Sequence, residues 1–250
     1  MTWPGRNSSV NGRGDGRKPM TNAGKEDGMS KLPVVIFGNG TFSDLAWYCL
    51  THDSDFQVIG FTVDRAFLSA EVHEGLPVVA FEDLPRYHPP DKVRLLIPLG
   101  YRAINGLRRE RYRAAKAQGY EFISYVSSRA SIWPDLRVGE NCMIYEHAII
   151  QPFACIGDNV IVRSGAHISH HCSVADHAFV AAGVTLGGNV TVGEQAFVGL
   201  GAVVRDGLVL AERSLIGAGA VVLANTEADG VYVGNPAQKT GRSAREATER

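Results

Sequence analysis

From residue 130 onward the sequence divides into sixes: ASIWPD LRVGEN CMIYEH AIIQPF ACIGDN VIVRSG AHISHH CSVADH AFVAAG VTLGGN VTVGEQ AFVGLG AVVRDG LVLAER SLIGAG AVVLAN. The third residue of every hexad is Ile, Val or Leu, from Ile132 to Val222, and sixteen hexads run without a slip. The first residue is usually small or apolar. A unit this short has one apolar side chain to bury and cannot bury it alone. Such units stack into a solenoid, each covering its neighbour.

The residues before the repeat are of another kind. Residues 1–31 are rich in Gly, Asn, Ser and charge and have few apolar side chains. That composition cannot offset the entropy of ordering and predicts a disordered tail. Met29, just ahead of the first apolar run, is a candidate alternative start. In residues 32–126 strand-like and helix-like stretches alternate. LPVVIFG suits a buried parallel strand, and TFSDLAWYCLTH sets Leu45, Tyr48 and Cys49 at helical spacing. FQVIGFTVD and VRLLIPLG read as further strands, and INGLRRERYRAAKAQG as a basic helix ending at a glycine. The alternation predicts a small parallel sheet with helical crossovers. The expected organisation is a tail (1–31), an α/β domain (32–126), an all-β repeat domain (127–237) and a basic C-terminal tail (238–250).

Composition removes some function classes. A formal net charge of −1 argues against a nucleic-acid-binding body. No apolar run approaches the ~18 residues of a membrane span, and the N-terminus lacks the apolar segment of a secretory signal. Cys49, Cys142, Cys155 and Cys172 show neither CxxC spacing nor disulfide-framework density, so a reduced cytoplasm is the expected compartment.

Chemistry concentrates at AHISHHCSVADH, which holds four of the eight histidines. An imidazole titrates near neutrality and can act as a general base. Histidines also bind zinc, three protein ligands and a water making a catalytic site. The third reading is a solvated face of the solenoid. His177 ends its hexad and is expected at an exposed corner.

The hexads resemble those of the hexapeptide-repeat acyltransferases. The resemblance implies a left-handed parallel β-helix, a triangular prism with one hexad per side, in which residues 18 apart are equivalent on successive coils. HISHH resembles the HIAHD and VEHDC segments of these enzymes. That places the catalytic base on His170, with His171 where relatives carry an acid that orients the base. His167 matches the first histidine of HIAHD and would line the acceptor site. Gly188, one coil on from His170, would offer its N–H to the oxyanion and meet the thioester. Leu200 and Ala218 would contact the pantetheine arm, and Phe179 aligns with a cofactor-contacting histidine of relatives. VYVGNPAQK resembles the closing GNPAK segment, which implies CoA contacts from Pro236 and Lys239, with Arg242 and Arg245 as further phosphate candidates. Carbonic anhydrases of this repeat class place two ligands five residues apart, but the residue five after His171 is Asp176, so no metal is expected.

The stretch from VVIFGNGTFSDLA to about Val126 resembles the Rossmann-like domain that precedes the β-helix in bacterial sugar acetyltransferases. Gly38, Gly40 and Ser43 form GxGxxS after a strand, a turn able to meet a phosphate. Asp64 ends the second strand, where an acid can hold a ribose or base. Gly40, Thr41 and Phe42 stand where relatives read SGH, and Val63–Asp64 where they read Asp-Asp. The resemblance implies a cytoplasmic homotrimer that moves acetyl from acetyl-CoA to the amino group of a nucleotide-activated sugar, without membrane insertion or nucleic acid. Sugar O-acetylation of the sialic-acid type and a non-catalytic nucleotide-sugar-binding scaffold are the alternatives.

Overall fold

A computed structural model describes residues 32–249; the expected tail and the question of Met29 lie outside them. The chain opens with β1 (Leu32–Phe37), α1 (Thr41–His52), β2 (Phe56–Val63), β3 (Val72–His73), β4 (Leu76–Ala80), α2 (Leu84–Tyr87), β5 (Arg94–Leu96) and α3 (Gly106–Ala117). The strand order is β3-β4-β2-β1-β5. β1 runs parallel to β2 and β5, and β2 to β4, while β3 closes a hairpin with β4. Val34, Val35 and Ile36 are covered on both faces of this sheet, as an unbroken apolar run requires. The buried face of α1 is Ser43, Ala46, Cys49 and Leu50. Tyr48, expected inside, is exposed and stacks on His52 at 4.1 Å between ring centroids.

The chain leaves this sheet at Phe122, bridged to Leu95, and enters the repeat at Tyr125–Val126, paired with Met143–Ile144. Each hexad then gives one two-residue strand, such as His167–Ile168. Register advances by three hexads: Cys155 pairs with Ser173 and Ser173 with Thr191. Three parallel sheets result. The third hexad residues point inward and stack; Ile156, Ile168, Leu186 and Val204 are almost wholly buried. Burying each such side chain is worth roughly 1.5–3 kcal/mol.

The corners explain much of the histidine density. The sixth residue of each hexad from Asn141 to Gly219 has a positive φ, between 52° and 71°. Asn and His, beside glycine, tolerate this left-handed conformation better than most residues. His147, His171 and His177 occupy such sixth positions, with φ of 60°, 58° and 65°. His170 is fifth in its hexad and owes nothing to this preference.

The three faces differ. One presents Tyr125, Met143, Ile161 and Phe179, all buried beneath the α/β domain. The second presents His167 between Ile149 and Thr185, and the third Cys155, Ser173 and Thr191. The α/β domain also docks along one corner. Arg108 of α3 is fully buried there without a carboxylate. Its Nη2 donates to the carbonyls of His177 at 2.8 Å and Ala178 at 3.0 Å, and its Nη1 to Leu99 O at 3.1 Å. Burial pulls the guanidinium down to about 9, still charged at neutral pH.

Two expectations need correction here. His177 is a corner residue but is buried, because α3 lies over it. Its Nδ1 is 2.8 Å from Asn159 Nδ2, and its ring meets Tyr112 edge-on at 5.6 Å. The C-terminal segment is not a tail. Gln238–Ser243 is a strand antiparallel to Gly230–Val233, and Ala244–Ala247 a helix begun by a capping box between Ser243 and Glu246. Thr248 then ties back, its Oγ1 accepting from Ile104 N at 2.7 Å. No helix among the described residues is long and apolar enough to cross a membrane.

Candidate active site

His170 stands at the corner between the second and third faces. Its backbone N–H donates to Gln151 Oε1 at 3.0 Å, and its carbonyl accepts from Asn189 N at 3.0 Å. Its Nδ1 lies 3.1 Å from His171 Nδ1. The Cε1–Nε2 edge of the ring lies against Gly188. A methyl group built there would stand 2.5 Å from His170 Cε1 and 2.7 Å from Nε2, so only glycine leaves the imidazole its place.

The turn supplies a second ingredient. Gly187 N and Asn189 N are spent on Val204 O and His170 O, but Gly188 N–H makes no hydrogen bond among the described residues. The residue with the free N–H thus packs against the His170 ring, whose Nε2 also makes no hydrogen bond among the described residues. A proton acceptor beside a fixed donor suits a reaction that removes a proton while negative charge grows on a nearby oxygen. The same turn leaves the N–H groups of Leu200 and Ala218 without a partner among the described residues. Both residues are exposed at the corner between the first and second faces, Leu200 by 60%. That corner and the His170 corner flank the face bearing half-buried His167 from opposite edges.

The α/β domain brings its predicted residues together. Gly38, Gly40, Thr41, Phe42 and Asp64 line one cavity of about 300 Å³. Gly38 has φ 111°, a conformation that favours glycine, and Gly40 precedes the first turn of α1. Phe42 leans on Gly100 and lies under the Arg163 guanidinium, 5.5 Å from its ring centroid. Asp64 Oδ2 accepts from Arg111 Nε at 3.0 Å. Sequence reasoning missed Arg102, the cation of this cavity, in the LGYRAING loop after β5. A larger cavity, about 740 Å³, continues past Asp64 and Arg102 toward Arg109, Arg213 and Arg245.

One expected cofactor contact is covered. Phe179, expected at the cofactor, is 3% exposed under the α/β domain, its ring 5.7 Å from Tyr101 and 5.4 Å from Phe197. An apolar side chain on the covered face packs there. Pro236 is exposed, while Lys239 Nζ is 2.5 Å from Glu227 Oε2. Arg245 pairs with Glu249 at 3.1 Å. The histidines do not converge on one point, since His177 is buried at a different corner. Among the described residues the set with metal-ligand spacing is Asp44, His73 and Glu74, in the α/β domain.

The model of the bacterial transferase hexapeptide family (six repeats) matches residues 135–170 and 156–188. A histidine-to-alanine mutant of GDP-perosamine N-acetyl transferase from Caulobacter crescentus, in complex with CoA and GDP-perosamine, is similar to the chain. Its TM-score is 0.77 at 27% identity, over 84% of this chain and 97% of that one. The chain is an acyltransferase whose repeat matches the transferase hexapeptide family over residues 135–170 and 156–188. The acyltransferase also shares its fold with the acetyltransferase domain of PglB from Neisseria gonorrhoeae FA1090 in complex with acetyl coenzyme A. There the TM-score is 0.74 at 22% identity, covering 84% of this chain and 100% of that one. WeeI from Acinetobacter baumannii AYE has a TM-score of 0.55 at 20% identity, with coverage of 84% and 100%. No curated protein matches in sequence. The prism of the acyltransferase is thus a left-handed parallel β-helix behind an α/β domain.

Proposed function

We propose that the protein transfers the acetyl group of acetyl-CoA to the amino group of a nucleotide-linked amino sugar. The observation that carries this reading is the close approach of the His170 ring to Gly188 on the next coil, a residue whose N–H makes no hydrogen bond among the described residues. The amine attacks the thioester carbonyl carbon, His170 takes the proton the nitrogen loses, and Gly188 N–H donates to the carbonyl oxygen as charge builds. The C–S bond then breaks, His170 gives its proton to the departing sulfur, and CoA leaves as the thiol. The exposed N–H groups of Leu200 and Ala218 suit the amide-bearing pantetheine arm. The cavity at Gly38, Gly40, Thr41 and Phe42, with Asp64 and Arg102 at its wall, suits the nucleotide of the acceptor. The similar Caulobacter enzyme, an N-acetyl transferase bound to GDP-perosamine, supports an amine acceptor.

A single prism presents His170 and the Leu200–Ala218 edge on opposite sides of one face and encloses nothing between them. Packing copies side by side would close that face into a groove, and we propose a homotrimer on this ground. The substrate reading is tested by thiol release from acetyl-CoA against GDP-, UDP- and dTDP-linked amino sugars and their hydroxyl counterparts. Release with one amino sugar is the expected result. Release with hydroxyl sugars alone would move the assignment to O-acetylation.

A further inference from the structure

Three consecutive residues, none of them glycine, sit in the left-handed region: Ala103, Ile104 and Asn105 have φ of 52°, 48° and 64°. Asparagine enters this region singly. Alanine does so at a cost, and a β-branched isoleucine at a greater one. Such a turn persists only where its surroundings fix it, and strain of this kind gathers at functional sites. Asn105 Nδ2 donates to Gln195 O at 2.9 Å, and Gln195 Nε2 to Ile104 O at 3.3 Å. The end of the C-terminal helix supplies the rest. Ala103 N donates to Thr248 O at 3.1 Å and Ile104 N to Thr248 Oγ1 at 2.7 Å. The Ile104 side chain packs with Val231 and Ala244.

The residue this turn presents is Arg102. Asp64, Phe67, Arg102 and Leu107 belong to the walls of both cavities, so Arg102 stands where the two spaces join. Arg109, Arg111, Arg113, Arg213 and Arg245 of the larger cavity are each paired with a carboxylate. Arg102 is exposed and has no such partner among the described residues. A guanidinium left free of carboxylates at the junction of two cavities is set for an anion, and it can meet a phosphate with two parallel N–H groups.

We propose that Arg102 grips the diphosphate of the acceptor, and that Thr248 is a positioning residue that holds the left-handed turn in which Arg102 is set. The proposal rests on the acceptor being nucleotide-linked. Such a molecule carries its charge in the middle, between nucleoside and sugar, and Arg102 stands between two spaces in the same way. The end of the chain thereby shapes the acceptor site without touching the acceptor.

Calorimetry of the full-length protein with GDP, UDP and dTDP reads the grip without turnover. Arg102→Ala should weaken the diphosphate that binds by about 10–100-fold. Thr248→Val keeps the shape of the side chain but removes the hydroxyl. It should weaken the same diphosphate and raise KM for the nucleotide sugar about 5–10-fold, with kcat within about twofold. Thr248→Ser should restore both. In the Arg102→Ala background Thr248→Val should cost little more, because the tie acts through Arg102. Acetyl-CoA binding and circular dichroism should hold in every variant. Undiminished diphosphate binding in Arg102→Ala or Thr248→Val, an equal loss of acetyl-CoA binding in Thr248→Val, or additive losses in the double variant would each overturn the inference. Wild-type protein that binds none of the three diphosphates would instead remove the nucleotide-linked acceptor, and the role of Arg102 with it.

Discussion

At the scale of single residues, two positions carry measurable consequences. Gly188 is closed to any Cβ by the ring of His170. Gly188→Ala should displace the imidazole by about 1 Å and cost kcat roughly a hundredfold, with the melting temperature little changed. A kcat near wild type would show that the ring does not need that space. His177 is the second. Burial pushes it down from its ordinary 6.5 to about 4, and its Nδ1 accepts from Asn159. The unfolded chain therefore takes up a proton there before the folded chain does. The contribution is whole above pH 6.5 and is lost as pH falls toward 4, by roughly 2–3 kcal/mol. His177→Asn, a residue already used at this corner by Asn159, should flatten that part of the stability profile; parallel wild-type and variant profiles would contradict it. The HISHH run was legible as the reactive corner, because hexad arithmetic alone puts His170 beside Gly188. The burial of His177 was not legible, since it depends on a helix from the other domain.

Among the elements, α3 decides how the two domains sit. Every third hexad reads GEN, GDN, ADH, GEQ or AER at its end, which lays Glu140, Asp158, Asp176, Glu194 and Glu212 up one corner. The basic face of α3 lies along it, with Lys116 at 2.7 Å from Glu140 and Arg109 at 3.3 Å from Glu194. These pairs are half-exposed and each is worth no more than about 1 kcal/mol. The buried pin is Arg108, whose guanidinium answers carbonyl groups of both domains. Arg108→Met should cost about 3 kcal/mol or more in denaturant unfolding, because those carbonyls are left unpaired. A loss under 1 kcal/mol would mean that apolar packing alone holds the domains. The acidic column was present in the sequence, as was the apolar one at Met143, Ile161 and Phe179, which needed a cover. The expectation for Phe179 rests on its match to a histidine of relatives and leaves its place in that apolar column out of account. The C-terminal strand was hidden differently: Gln238–Ser243 has no apolar alternation, and its Ser-x-x-Glu capping signal lay in a stretch dominated by charge.

For the whole molecule, one face of the prism is spent on the α/β domain and two remain open. Ile149, Val203 and Leu200 are exposed along the face of His167 and its edge, apolar surface with no cover in a single chain. Light scattering of active protein should give three times the chain mass. A monomer that turns over would contradict a site completed between copies. The catalytic consequences hang on His170 as the group that takes the proton. The most direct test is steady-state thiol release by wild-type protein and His170→Ala at saturating acetyl-CoA and acceptor, with circular dichroism and acetyl-CoA binding checked in both. The account predicts a loss of at least about a hundredfold in kcat with fold and binding retained. Turnover within a few-fold of wild type would contradict it.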